Sequence, residues 1–166
     1  MFICDTQVTP DPSAETIARM TISAAKEVSR FGLKPRAALL SHSNFGSRDG
    51  KSSRKMRQAL ELIHQLDPDL MVEGEMQADS ALVPRIRNTI FPNSNLEGAA
   101  NLLIMPGVDA ANITFNMLKA QSRGVSLGPI LLGCPIAAHI VTPITTVRGL
   151  VNMTAIAAAR CDKEVE

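Results

Sequence analysis

The sequence predicts an α/β fold around a largely parallel sheet, and three observations carry that prediction. Short apolar runs of strand length alternate with amphipathic segments whose apolar residues recur at steps of three and four. Polar loops containing Gly or Pro separate them, the pattern of strand–helix–strand units. The chain has 166 residues, 45% hydrophobic and 20% charged, the size and balance of one soluble domain. A domain of this length buries roughly 70% of the surface its unfolded chain exposes, so it needs no staples.

The elements follow in order. Residues 2–4 read as a strand stub, and Pro10 and Pro12 break the chain. Ser13 caps a helix with Ile17, Met20, Ala24, Val28 and Phe31 on one face, and Gly32 stops it. Residues 37–40 form a buried strand, followed by the loop Ser41-His42-Ser43-Asn44-Phe45-Gly46-Ser47. A helix over 51–66 buries Met56, Leu60, Ile63 and Leu66 and turns Lys51, Arg54, Lys55 and Glu61 outward. Met71 and Val72 open a strand into Glu73-Gly74-Glu75. Asp79 or Ser80 caps the next helix, with Pro84 in its first turn, where the missing N–H costs little. Residues 102–105 are a strand stopped by Pro106-Gly107. Asp109 begins a helix that points Ile113, Met117 and Leu118 inward. Residues 130–132 and 138–141 read as two further strands, 147–160 as an Ala-rich helix, and 161–166 as a solvated tail. A chain that begins inside a strand fits a piece of a longer polypeptide.

Composition excludes several functions. Seventeen basic against 16 acidic residues leave +1, without the basic excess that a non-specific grip on nucleic acid or anionic lipid requires. Five Phe, no Trp and no Tyr leave little for base stacking or a membrane-interface belt. No apolar run approaches the ~18 residues of a membrane span, and no secretory leader pattern opens the chain. Neither nucleic acid nor membrane is an expected partner. Cys4, Cys134 and Cys161 stand far apart, with no CxxC pair and no metal spacing to His42, His64 or His139. A reducing, cytoplasmic setting and no metal site are the expectation.

Ligands of open α/β sheets bind outside the carboxyl ends of strands, at helix N-termini. Loops 41–50, 73–79, 105–112 and 142–149 qualify. The first offers Ser41, Ser43, Asn44 and Ser47 as donors, Gly46 for close approach or positive φ, and Arg48 and Lys51 as charge. It reads equally well as an anion-receiving loop and as a polar turn. It is neither a P-loop nor a Rossmann fingerprint. Glu73 and Glu75 fall on one side of a strand and read better as a solvated strand end than as a proton-sharing or Mg²⁺-holding pair. Asp79 is a helix cap. His42 could serve as a general base, but a hydrogen-bonding turn residue is the simpler reading. His64 belongs to a helix surface and His139 to the core. Cys134, with no cation nearby, is not a nucleophile.

Read together, the loops show a resemblance. Leu39-Leu40-Ser41-His42-Ser43-Asn44-Phe45-Gly46-Ser47 resembles the LSxSxxGS strand-loop of phosphate acetyl/butyryltransferases. The segment Glu73-Gly74-Glu75-Met76-Gln77-Ala78-Asp79 is similar to their DGELQxD. Met105-Pro106 through Asp109-Ala110-Ala111-Asn112-Ile113 resembles their FPDLxAGNI, and Gly128-Pro129-Ile130-Leu131-Leu132-Gly133 their GPILxG. The order holds over residues 2–158. The stretch from Phe2 to Pro12, the 41–47 loop and the stretch from Val147 to Ala155 further resemble the C-terminal, acetyltransferase-like module of large bacterial NADP-dependent malic enzymes.

The resemblance implies a three-layer lobe of the isocitrate/isopropylmalate-dehydrogenase-like type over residues 1–160, the second half of such a module. It implies homo-oligomers and acetyl-CoA as effector, with NADP and Mg²⁺ or Mn²⁺ confined to absent catalytic domains that decarboxylate malate. The ligand-binding residues it implies are Ser41, Ser43, Asn44, Gly46, Ser47, Arg48, Lys51, Gln77, Asp109, Asn112, Thr142, Thr145 and Arg148. Active acetyltransferases carry a Ser-Arg pair and, a few residues on, an Asp before the last helix. Here Thr142-Pro143 and Gly149 stand at those positions, with Arg148 out of register. Pro supplies no guanidinium and Gly no carboxylate, so no catalytic residue is expected and the role implied is regulatory. Two rivals stay open: an active phosphate acyltransferase, and an assembly module that binds nothing.

Overall fold

Local signals set each element before the sheet assembles. The computed structural model describes residues 1–122, 124–143 and 145–161. Strand β1 (Phe2–Cys4) leads to helix α1 (Ala14–Arg30), whose first turn is closed by Ser13 Oγ accepting the Thr16 N–H at 3.2 Å. Gly32, at φ +74°, turns the chain after it. Then come β2 (Ala37–Leu40), α2 (Lys51–Leu66) and β3 (Val72–Met76). Two short helices follow, α3 (Ala78–Leu82) and α4 (Pro84–Ile90), then β4 (Leu102–Ile104), α5 (Val108–Gln121) and α6 (Val147–Cys161).

The four strands run parallel in the order β1-β4-β2-β3. Ala37, Ala38 and Leu39 of β2 pair with Leu102, Leu103 and Ile104 of β4. Alternation sends Ala38, Leu40, Leu103 and Met105 to one face, where they pack with Ala81, Leu96, Ala100 and Ala111. Ala37, Leu39, Leu102 and Ile104 point the other way and are equally buried, so the sheet is covered on both faces. Helices α1 and α2 pack on each other and bury Ile17, Val28, Met56 and Ile63. The connections β1→β2 and β2→β3 advance across the sheet while β3→β4 returns. Right-handed crossovers therefore put α1 and α2 on one face and α3 and α4 on the other. The result is three layers with the strand ends as a common rim, as expected for this α/β class.

The contacts divide the chain into two units, Met1–Phe115 and from Asn116 onward. The first holds the sheet.

Several expectations need correction. One helix was expected near residue 79; two form, because Val83 before Pro84 takes an extended conformation (φ −118°, ψ 96°). Neither Asp79 nor Ser80 caps a helix. Gln77 is the N-cap of α3, and the Asp79 carboxylate instead accepts the Ser80 N–H at 2.7 Å. Residues 130–132 and 138–141 form no strands. The Leu131 N–H goes to His139 Nδ1 and the Leu131 carbonyl accepts from the Arg160 guanidinium, so side chains satisfy a backbone that a neighbouring strand would otherwise pair. His139 is half-buried rather than a core residue. On α5, Ile113 and Met117 are 59% and 60% exposed and Leu118 is exposed too; Ala111 is the buried residue. Leu66, expected on the buried face of α2, is also exposed. Cys161 ends α6, and the rest of the expected tail lies outside the described residues.

Candidate ligand-binding site

The loop after β2 is held by a carboxylate from the next strand. Glu75 of β3 is fully buried; its Oε1 accepts the Gly46 N–H at 2.9 Å and an Arg57 N–H at 3.1 Å. The Phe45 N–H donates to the Glu75 carbonyl at 2.8 Å, and the Phe45 ring stacks on Phe91 at 4.4 Å. Phe45 and Gly46 both take positive φ, +48° and +84°. The positive φ expected at Gly46 is thus present, but its N–H faces an internal carboxylate, where an external anion was anticipated. Glu73 is also buried. Its oxygens accept the Gly74 and Asn95 N–H groups, so the two glutamates go to separate partners and neither is the solvated strand end that spacing favoured.

The serines of this loop are spent on its own backbone. Ser43 is buried, and its Oγ accepts the Arg48 N–H at 3.0 Å and lies 3.4 Å from Ser47 Oγ. Ser47 Oγ accepts the Asn44 N–H at 3.0 Å, and Ser41 Oγ the Ser43 N–H at 3.3 Å. Gln77 joins them: its N–H donates to Asn44 Oδ1 at 2.8 Å and its amide to the His42 carbonyl at 3.0 Å. Ser41, Ser43, Asn44, Ser47, Arg48 and Gln77 therefore form one hydrogen-bonded cluster, while Gly46 is tied to Glu75. His42 is exposed, its Nδ1 3.5 Å from Ser41 Oγ, as suits a turn residue.

The cations of α2 meet carboxylates of the chain itself. Arg54 and Arg57 both reach Asp49, at 2.7 and 3.2 Å. Lys51 and Lys55 converge on Asp11 at 3.0 and 2.6 Å, and Lys55 also donates to the Pro106 carbonyl at 2.8 Å. Hydrogen bonds from Lys55 and then Lys51 pull the Asp11 pKa down to about 2. Around these groups lies a cleft of about 340 Å³, lined by Pro10 and Asp11 after β1, Lys51, Ser52 and Lys55 of α2, and Pro106, Gly107, Asp109 and Ala110 after β4. It sits where strand-end loops meet helix N-termini, the general position for ligands in such sheets. Asp109 lines it, and Asn112, a turn further along α5, donates to the Thr6 carbonyl at 3.1 Å.

Thr142, Thr145 and Arg148 belong to the second unit. The Thr142 N–H donates to Thr145 Oγ1 at 3.2 Å and the Thr145 N–H to the Thr142 carbonyl at 2.9 Å, a closed turn before α6, whose first turn carries Arg148. Gly149 donates to Thr146 Oγ1 at 3.1 Å, and a Cβ there would lie 3.0 Å from the Thr145 methyl.

Sequence reasoning missed Asp11 as the partner of Lys51 and Lys55, and Glu75 as the anchor of the loop. Asp11 stood between two prolines and read as part of a chain break; no spacing rule ties it to residues 40 and 44 positions away. Among the described residues no group of three or more His, Cys, Asp or Glu is placed to hold a metal ion, and no helix is long and apolar enough to cross a membrane. Burial, and then the Asp5 charge, push the Cys4 thiol up to about 12, which leaves it unreactive.

The sequence profile of the family described as phosphate acetyl/butaryl transferase matches residues 1–158. The chain is 51% identical over 164 residues to an NADP-dependent malic enzyme of Escherichia coli (strain K12), covering 98% of this chain and 22% of that protein. It is 52% identical over 164 residues to an NAD-dependent malic enzyme of Rhizobium meliloti (strain 1021), covering 99% of this chain and 21% of that protein. It spans about a fifth of the length of both relatives. A solved phosphotransacetylase from Streptococcus pyogenes superposes with a TM-score of 0.85 at 28% identity, covering 96% of this chain and 48% of that one.

Proposed function

Because this chain belongs to the phosphate acetyl/butaryl transferase family, we propose that it is the acetyl-CoA-sensing, oligomerising module of a malic enzyme and performs no acyl transfer itself. Its whole length is similar to about a fifth of each malic enzyme it matches, which supports that setting. On this reading, NADP, a divalent metal and malate decarboxylation belong to other domains of the longer polypeptide, in the cytoplasm.

One observation carries the choice of sensing over catalysis. The Ser-Arg pair and Asp of active acetyltransferases are replaced by Thr142-Pro143 and Gly149, and position 149 is tightly packed. A Cβ there would press on Thr145 at 3.0 Å and on Thr146 Oγ1 at 3.3 Å. Without a guanidinium on the acyl phosphate and a carboxylate near the thiol, the electrostatic and proton-transfer assistance to transfer is missing. Binding needs neither. Exposed Arg48 and the Lys51/Lys55 pair remain to receive CoA phosphates, beside the internally hydrogen-bonded 41–48 loop with Gln77, and with Asp109 and Asn112 at the α5 end.

The test is calorimetric titration with acetyl-CoA, beside an assay for acetyl phosphate formed from acetyl-CoA and phosphate. Saturable binding with no acetyl phosphate is the expected result, together with no NADPH production from malate by this chain alone. In the longer polypeptide, acetyl-CoA should lower malate turnover. The likeness to a phosphotransacetylase favours a second reading, an active phosphate acyltransferase, and steady acetyl phosphate formation would select it.

A further inference from the structure

Lys51 and Lys55 grip one carboxylate by both of its oxygens. Lys51 Nζ lies 3.0 Å from Asp11 Oδ2, and Lys55 Nζ 2.6 Å from Asp11 Oδ1. Residues four apart on a helix share a face, so the two ammonium groups form a fork that fits any group offering two oxyanion oxygens, carboxylate or phosphoryl. The two sides of this contact are unequally held. The Lys55 side chain is 14% exposed, and its ammonium is also tied to the Pro106 carbonyl, whereas the Asp11 side chain is 63% exposed. The Lys55 arm of the fork is held in place, while Lys51, 85% exposed, and the carboxylate between them are at the surface.

We propose that the Lys51–Lys55 fork is an anion site for a phosphoryl group of the ligand, and that Asp11 fills it as an internal competitor which the ligand displaces. The inference deepens the acetyl-CoA reading and rests on it only for the ligand's identity. A CoA thioester brings phosphoryl groups, and inorganic phosphate offers the same chemistry without the thioester. The cleft of about 340 Å³ beside the fork gives such a group room.

The strap carrying Asp11 has a second tether that displacement leaves intact. The Pro10 carbonyl accepts the Val108 N–H at 3.2 Å, and the chain packs so closely there that a Cβ on Gly107 would meet that oxygen at 2.9 Å. A swing of one side chain therefore frees the fork while the strap stays docked. The competitor is always charged near neutrality, since its pKa lies at about 2, so the latch answers to ligand and ionic strength. Asp109, also on the cleft, opposes an anion at the α5 end and favours delivery to the lysines.

The experiment measures affinity for inorganic phosphate and for acetyl-CoA, at low ionic strength, on the natural polypeptide that carries this chain. Asp11→Asn removes the competing charge and keeps the side chain's size. Affinity for both probes should rise about five- to tenfold, the change that two exposed ion pairs can carry. Asp11→Ser must behave alike. Adding Lys51→Met, at a side chain 85% exposed, to the Asp11→Asn variant must abolish most of the gain. A gain for phosphate with no acetyl-CoA binding in any variant keeps the anion site and removes the acetyl-CoA reading. Unchanged or weaker binding of both probes in Asp11→Asn and Asp11→Ser, with circular dichroism showing folded protein, overturns the proposal.

Discussion

Removing the Glu75 carboxylate strands two donors at once, the Gly46 N–H and the Arg57 guanidinium. Arg57 is one-third exposed and keeps Asp49, so Glu75→Ala should cost about 2–3 kcal/mol, below the full penalty of a buried pair. Chemical denaturation measures it as a lower midpoint. Two glycines separate two kinds of backbone demand. Gly46 has open space around its Cα, so Gly46→Ala meets only the left-handed strain, about 1–2 kcal/mol. At Gly74, φ is +153° and a Cβ would lie 2.7 Å from the Leu39 carbonyl. Gly74→Ala should therefore be much the worse, and the ratio of the two midpoint shifts tests it. Arg87 is buried and donates to the carbonyls of Ser80, Ala81, Leu96 and Gly98. It pins the irregular 91–101 segment under the sheet. Arg87→Met removes this donor from the Ser80, Leu96 and Gly98 carbonyls, while Ala81 keeps the Ala100 N–H; the loss is at least about 3 kcal/mol and should broaden proteolysis in that segment first.

Asp5 supplies a pH signature. Burial pushes its pKa up, but N–H bonds from Gln7, Val8 and Thr9 outweigh burial and hold it below the ordinary 3.8. A carboxyl depressed by folding adds stability that is complete above its unfolded value and drains as pH falls through the folded one. Asp5→Asn should thus flatten the loss of stability below about pH 4, read from melting temperatures across an acid series.

At the scale of the element, the start of α2 rests on Ser53. The Gly50 N–H donates to its Oγ at 2.9 Å, and the hydroxyl faces the Arg48 and Gly50 carbonyls, both at 3.0 Å, in a buried position. Ser53→Ala should cost about 1–2 kcal/mol, as loss of a cap does, and should loosen the loop preceding the helix, visible as faster amide exchange at Arg48 and Gly50. The helix bounds themselves were legible. Ser13, Gly32 and the apolar steps of α1 and α2 act within a turn or two, and the helices begin and end where those residues put them. The segment after β3 was less legible, because Val83-Pro84 divides it and Gln77 lacks a cap signature. Apolar spacing on α5 also misled, since a stripe records that a face avoids water and is silent about what covers it.

For the whole molecule, exposed Ile113, Met117, Val147 and Val151 amount to apolar surface that the described residues leave uncovered. The oligomer proposed above predicts self-association at high micromolar concentration in sedimentation. Ile113→Lys or Val147→Lys should reduce it with little change in melting temperature, as exposed positions permit. A clean monomer at those concentrations would count against that role.

What the sequence determined by itself was local or periodic: the α/β alternation, strands at 2–4, 37–40, 72–76 and 102–104 though not the two further ones expected at 130–132 and 138–141, the main helix starts and stops, and the 41–48 loop as a cluster of hydrogen-bonding residues. Each depends on neighbours within a few positions, which a linear reading can see. The tertiary structure alone decided the strand order, with β4 between β1 and β2, and therefore which loops share a rim. It also decided which charges meet. Asp11 finds Lys51 and Lys55, Glu75 finds Arg57 and Gly46, and Glu73 finds Asn95, across 18 to 44 positions of chain. Whether a carboxylate is a solvated end, a latch or a buried anchor depends on which partner folding brings to it, because desolvation and Coulomb attraction act through space and carry no sequence period.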